Sequence, residues 1–283
     1  MSIEQLLKDS NTDWNVEKRA LFGPNGEPAN AYGVFRADND DCLGVVGNRY
    51  RITQNSEVAQ MLYEAADRVN ITIDRGGFLN GGRKVYYQLG LPDVTIGGSM
   101  SKRFLTGLTS HDGSSPIGFG ATNIVVVCAN TFFQALQETS RVRHTLNSQS
   151  RMNEIVVQLQ NSMFQEEQMV ETMIRMSNTY IPENIEDDFL LNIIGGEEDT
   201  TRTKNRLAQV RQAMVPEFNT HGNTAYALFN AITRYTNHLI NYSDIESKRN
   251  SLMSGVGFRT NTKAFDIIEA QYLTPAATIH SVM

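Results

Sequence analysis

Two strand-like runs, Ile71–Leu79 and Arg83–Leu91, are separated only by Asn80-Gly81-Gly82, and that spacing commits the chain to at least one antiparallel hairpin. Asn and Gly accept the positive φ angles of a tight turn at little steric cost, so Asn-Gly between strand-like runs is the strongest short-range hairpin signal. More strands follow from similar patterns. Ala31–Ala37 and Leu43–Arg51 read as strands joined at Asp38-Asn39-Asp40-Asp41, whose side chains satisfy turn backbone. Phe104–Thr109 and Gly118–Cys128 add two, the second apolar on successive residues and therefore central. Gly23-Pro24-Asn25-Gly26 reads as a loop.

Helical spacing marks the rest. Ile3, Leu6 and Leu7 suggest a short arm, and Asn55 or Ser56 caps a helix through Val69 with Val58, Met61, Leu62 and Ala65 on one face. Asn130 or Thr131 caps a further helix through about Val142. Beyond residue 150 the pattern is almost wholly helical. Met152–Ser177 carries a broad apolar face, Asn184–Ile194 is short, and Thr201–Met214 is basic and ended by Pro216. Asn223–Asn241 and Ser251–Ala270 follow, the latter after a bend at Gly255 and Gly257. The expected fold is α+β: a hairpin-rich antiparallel sheet domain with crossing helices over residues 1–150, then a mostly α-helical region over 151–283 packed on or beside it.

Composition narrows the function classes. Of 283 residues 40% are apolar and 20% charged, an ordinary globular balance. The longest apolar run is Ile124–Ala129, far short of the roughly 20 residues of a membrane span, and residues 1–20 do not read as a secretory signal. With only Cys42 and Cys128 there is no disulfide framework, and reduced thiols in a cytoplasmic protein are expected. The net charge of −6 divides unevenly, −1 over residues 1–150 and −5 over 151–283.

Catalytic signatures are weak. The glycines around residues 76–82 lie in a hairpin and lack the GxxxxGK[ST] form of a phosphate loop. The histidines His111, His144, His221, His238 and His280 show neither HExxH nor i, i+4 spacing, so no metal, no cofactor and no catalytic residue is assigned. Cys128 with His144 would suit a thiol nucleophile and its base, but Cys128 ends an apolar strand, where thiols are structural. Arg141, Arg143 and Arg151 form the densest basic tract, with Arg83, Lys84, Lys102 and Arg103 supplying charge from the sheet. Tyr86, Tyr87 and Phe104 lie beside those cations in sequence. Such interleaving suits single-stranded nucleic acid, with phosphates on the cations and Tyr86 or Tyr87 stacked on bases. Strand alternation puts the two tyrosines on opposite faces.

Several segments together resemble a known family. Gly47-Asn48-Arg49-Tyr50 with Gln54-Asn55, Phe78–Lys84, His111-Asp112-Gly113-Ser114, Val127–Thr131 and Arg143-His144-Thr145 look like the phage- and plasmid-encoded proteins grouped as domain of unknown function nine-three-two. His221-Gly222-Asn223-Thr224, the run from Asn230 to His238, and Gly255…Gly257…Lys263-Ala264 extend the likeness over about residues 31–270. Arg234 stands where that family usually has an acid, and Ala129 where it has a polar residue. The resemblance implies a phage protein in the cytoplasm of an infected bacterium and a polar motif set of His111, Asp112, Asn130, Thr131, His144 and His238, equally suited to architecture or to function. The sheet crossed by a helix also looks like the core of Rad-fifty-two-type single-strand annealing proteins, by fold-level analogy. Three functional readings stand at this point. The first is a non-enzymatic, homo-oligomeric protein that binds single-stranded DNA as a recombination or annealing accessory. The second is an interaction protein engaging host or phage proteins through the acidic helical half. The third is an enzyme built on His111, Asp112, Cys128 and His144.

Overall fold

The structure is a computed structural model that describes residues 2–114, 117–125, 130–133, 141–142, 148–196 and 200–273. It is α+β, as the patterning predicts. The element order is α1 (Ile3–Asp9), β1 (Val16–Phe22), β2 (Pro28–Arg36), β3 (Cys42–Val46), α2 (Asn55–Arg68), β4 (Thr72–Leu79), β5 (Lys84–Ile96), β6 (Ser99–Ser110), β7 (Ile117–Val125), β8 (Asn130–Phe133) and β9 (Arg141–Val142). Then come α3 (Ser148–Ser177), α4 (Asp187–Ile194), α5 (Thr201–His221), α6 (Ala225–Arg234), α7 (Ile245–Ser254) and α8 (Val256–Tyr272).

One sheet has the order β1-β2-β3 and is antiparallel; the other has the order β4-β5-β6-β7-β8, with β9 also on β7. The hairpin expected at Asn80-Gly81-Gly82 is present, β4 pairing antiparallel with β5 from Leu79 opposite Lys84. Contacts divide the chain into two compact units: residues 1–92, 102–122 and 134–166 form the first, and residues 93–101, 123–133 and 167–283 the second.

In the first unit, α1 and α2 lie against each other and against β4. Their apolar faces, with Leu6, Val58 and Leu62, and the strand residues Leu79, Val85 and Leu89 are all buried. Burial of this kind contributes about 1.5–3 kcal/mol for each large side chain. Gln54, rather than Asn55 or Ser56, is the residue before the first turn of α2, and it reciprocates with Glu57 in a capping box. In the second unit, α5 packs on α6, α6 on α8 and α7 on α8, and α6, α7 and α8 lie against β8. Helix α6 is buried along nearly its whole length, from Ala225 to Thr233, as a helix apolar on most sides must be.

Several local expectations need correction. Strand β1 was not anticipated. The strand expected over Leu43–Arg51 stops at Val46, and Tyr50 N donates to Gly47 O, closing a turn. In place of a helix from Asn130 or Thr131 to Val142, residues 130–133 and 141–142 are strands, and 134–140 lie outside the described residues. Helix α5 continues through Pro216 to His221. Proline removes one N–H bond from a helix interior, but the packing of α5 on α6 and the ion cluster of its final turn hold the helix together. There the Glu217 carboxylate, 3% exposed, lies 3.2 Å from Arg234 Nη1 and 3.8 Å from His221 Nε2. Arg234 of α6 thus pairs with an acid of α5. Helix α6 runs on into a single π turn, Tyr235–Leu239, closed by Ile240 N donating to Tyr235 O.

Candidate functional site

At one end of the first unit the family-like segments around residues 50, 80 and 111 meet. The turn after β4 holds Asn80, Gly81 and Gly82 at φ of 55°, 64° and 96°. Gly82 suits this positive φ, and a Cβ there would also press on the Trp14 ring at 3.2 Å. Next to this turn His111 N donates to Arg83 O at 2.8 Å. Its ring, 1% exposed, has Nε2 2.8 Å from Asn55 Oδ1 and meets the Trp14 ring edge-on at 5.5 Å between centroids.

Asn55 fixes the proton on that ring. Its Nδ2 donates to Thr12 O at 3.0 Å and Trp14 O at 3.2 Å, so its oxygen faces the imidazole and Nε2 must be the protonated nitrogen. Tyr87, wholly buried, joins the same network with its hydroxyl 3.0 Å from Thr12 Oγ1. A buried polar network with its members satisfied fixes one arrangement of the strands that bear it. The imidazole of His111 is therefore a tie between α2, the segment before β1 and the end of β6.

Around this tie lies a charged rim. Tyr50 donates its hydroxyl to Ser110 O at 2.9 Å. Burial, reinforced by the negative charge of Asp112, pushes its phenol up to about 12. Burial tends to raise the Asp112 carboxyl, but hydrogen bonds from Ser114 and Ser110 and the nearby Lys84 charge outweigh it and hold the group below its usual value. Gly44 lets β3 approach this turn, since a Cβ there would stand 2.7 Å from Asp112 Cα. Lys18 Nζ donates to Asn48 O at 2.8 Å and Tyr50 O at 2.9 Å, anchoring the loop that carries Arg49 and Arg51. Arg49, Arg51 and Arg83 are exposed and Lys84 is half-buried. Two further arginines of this unit face acids: Arg19 pairs with Glu17 and Asp40, and Arg36 pairs with Asp38 while lying 4.3 Å over the Trp14 ring.

Two tyrosines make this end sensitive to base. Burial also pushes Tyr87 up to about 12, against the lowering effect of its Thr12 hydrogen bond. A phenol near 10 when unfolded and near 12 when folded contributes stability that is fully present below pH 10 and lost as pH rises to about 12, because the unfolded chain releases its proton first. Stability is expected to fall over that window. Tyr87→Phe, which no longer ionises, should make the fall shallower in denaturant midpoints measured from pH 9 to 12.

The expected phosphate and base contacts distribute unevenly. Arg83 and Lys84 belong to the rim. Tyr87 has no exposed surface and Tyr86 is 9% exposed, so β5 is covered on both faces and neither ring offers a stacking platform. Arg103 is bound bidentately to the buried Glu166, which leaves its charge neutralised. Lys102 is exposed, but its neighbour Arg103 reaches Pro92 O, eight residues along β5 from Lys84, or about 26 Å at strand rise. Arg141 is in β9, opposite Gly118.

Of the motif set, His111 and Asp112 belong to the first unit, and Asn130 and Thr131, which open β8, and the exposed His238 of the π turn belong to the second. Cys128, Arg143 and His144 lie outside the described residues. Arg49 and Arg51 are further exposed cations of this end, and Gly47-Asn48 ahead of them is a turn signal that separates them from β3.

The fold and this site define an α+β protein in which a buried polar tie supports an exposed cationic loop end. The chain belongs to the family described as Domain of unknown function (DUF932), whose model matches residues 42–261. No curated protein and no solved structure matches it, so the likeness to Rad-fifty-two-type annealing proteins has no support.

Proposed function

We propose that the protein is a non-enzymatic binder of single-stranded nucleic acid, engaging phosphates with Arg49, Arg51, Arg83 and Lys84. The observation that carries this reading is the meeting of the segments that bear those cations: Tyr50, between Arg49 and Arg51, donates to Ser110 O, Arg83 O accepts from His111 N, and Lys84 lies near Asp112. Tyr50 lies between Arg49 and Arg51 and is partly exposed; it takes the stacking role first given to Tyr86 or Tyr87. Binding on a preorganised rim needs no reacting group, which agrees with His111 serving as a tie. The setting this reading implies is the cytoplasm of a phage-infected bacterium; among the described residues no helix is long and apolar enough to cross a membrane.

A second reading, a protein partner, draws on α3, where Val157 and Phe164 are exposed at 52% and 60% one heptad apart. The two are separated by fluorescence anisotropy with a labelled single-stranded oligonucleotide at 50 and 200 mM salt. Affinity that falls with salt supports the rim. No binding at 50 mM salt overturns it.

A further inference from the structure

The second unit contains a cleft of about 420 Å³ with no assigned role. We propose that it binds a small organic phosphate ester. Arg202, Arg206 and Gln209 line one wall from α5, at the i, i+4 and i+7 spacing that puts them on one helix face. Tyr242 and Thr260 also line it, as does Tyr235, which opens the π turn that departs from regular helix. Such turns are frequent at functional positions because they re-aim backbone and side chains.

The charge of the cleft selects the ligand. Arg206 donates to Tyr235 Oη at 3.2 Å, to Gly195 O at 3.0 Å and to Ile194 O. These acceptors are neutral, so they orient the guanidinium without cancelling its charge, and they use three of its five N–H donors. Arg202 is exposed. Among the described residues no carboxylate lines the cleft, although this half of the chain is acidic. Two guanidinium groups match a dianion, and their forked donors suit phosphate oxygens. Leu239, Ile240 and Val256 add apolar surface for an organic group, and the volume lies in the range of small-molecule sites.

This inference concerns a different unit from the polynucleotide rim and does not depend on it. The test is calorimetric titration of the full chain with adenosine 5′-monophosphate, inorganic phosphate, and a dinucleotide with or without a 5′-phosphate. The monophosphate is expected to bind more tightly than inorganic phosphate and more tightly at pH 7 than at pH 5, as its second ionisation near 6 completes. Arg202→Gln should weaken it at least tenfold and Arg202→Glu further, while Arg49→Gln leaves it unchanged. Because Arg202 is exposed, both variants are expected to keep the wild-type circular dichroism. Equal binding by the 5′-phosphorylated dinucleotide identifies a strand end as a source of the ester; preference for the mononucleotide identifies the free metabolite. No binding of the monophosphate at millimolar concentration, or undiminished binding by both Arg202 variants, overturns the proposal.

Discussion

Replacing Arg49, Arg51, Arg83 and Lys84 together by glutamine is expected to weaken single-stranded DNA binding several hundred-fold at 0.1 M salt. Each phosphate contact on a single strand gives a slope of about −0.7 in log K against log salt, which is roughly a factor of five between 1 M and 0.1 M. Four contacts multiply to roughly 600-fold, and the salt slope should shrink by about 2.8. The test is anisotropy over 50–300 mM salt. Lys102→Gln is the informative control, since Lys102 lies away from the rim and its loss should leave the slope nearly unchanged. A quadruple variant with the wild-type slope would remove the polynucleotide reading.

The second large effect is on stability. Glu166→Ala leaves Arg103, whose side chain is 14% exposed, beside the site of a carboxylate that is wholly buried. Breaking a buried pair from one side costs about 3–5 kcal/mol, because the remaining charge is uncompensated. For a chain of this size that corresponds to a Tm lowered by roughly 5–8 °C. The double replacement Arg103→Met with Glu166→Met should recover most of the loss, since an apolar pair of similar volume avoids the desolvation cost. Calorimetry of the two singles and the double closes the cycle. Near-equal Tm values for wild type and Glu166→Ala would show that the pair contributes little. The same pair explains why Arg103 does not serve as a phosphate contact.

What was legible in the sequence was mainly local. The Asn80-Gly81-Gly82 turn, α2 and α3 follow from signals contained within one segment. Strand β1 escaped because Val16–Phe22 has no strict alternation; its place comes from antiparallel pairing with β2, for example Val16 opposite Arg36. Asn130 and Thr131 carry good capping side chains, yet residues 130–133 form strand β8, next to β7 in the sheet. Tertiary pairing overrode a local preference there. Pro216 shows the same, a local stop signal overridden by the packing of α5.

The site was legible by segment but not by role. Arg83 and Lys84 as cations and His111 and Asp112 as a motif are visible in the sequence separately, but their proximity is a property of the fold, and Asn55, which reads as a helix cap, holds His111, Thr12 and Trp14 together. Tyr86 and Tyr87 alternate as expected, and only the coverage of both faces of β5, a property of the whole unit, removes them from the surface.

The burial of α6 on nearly all sides has a kinetic corollary. No face of the helix from Ala225 to Thr233 opens to solvent, so its amides have no path to deuterium short of loosening α5 and α8 as well. Their exchange should be the slowest in the second unit and should track its global unfolding free energy, making this one segment an internal gauge of how firmly the whole helical assembly is closed.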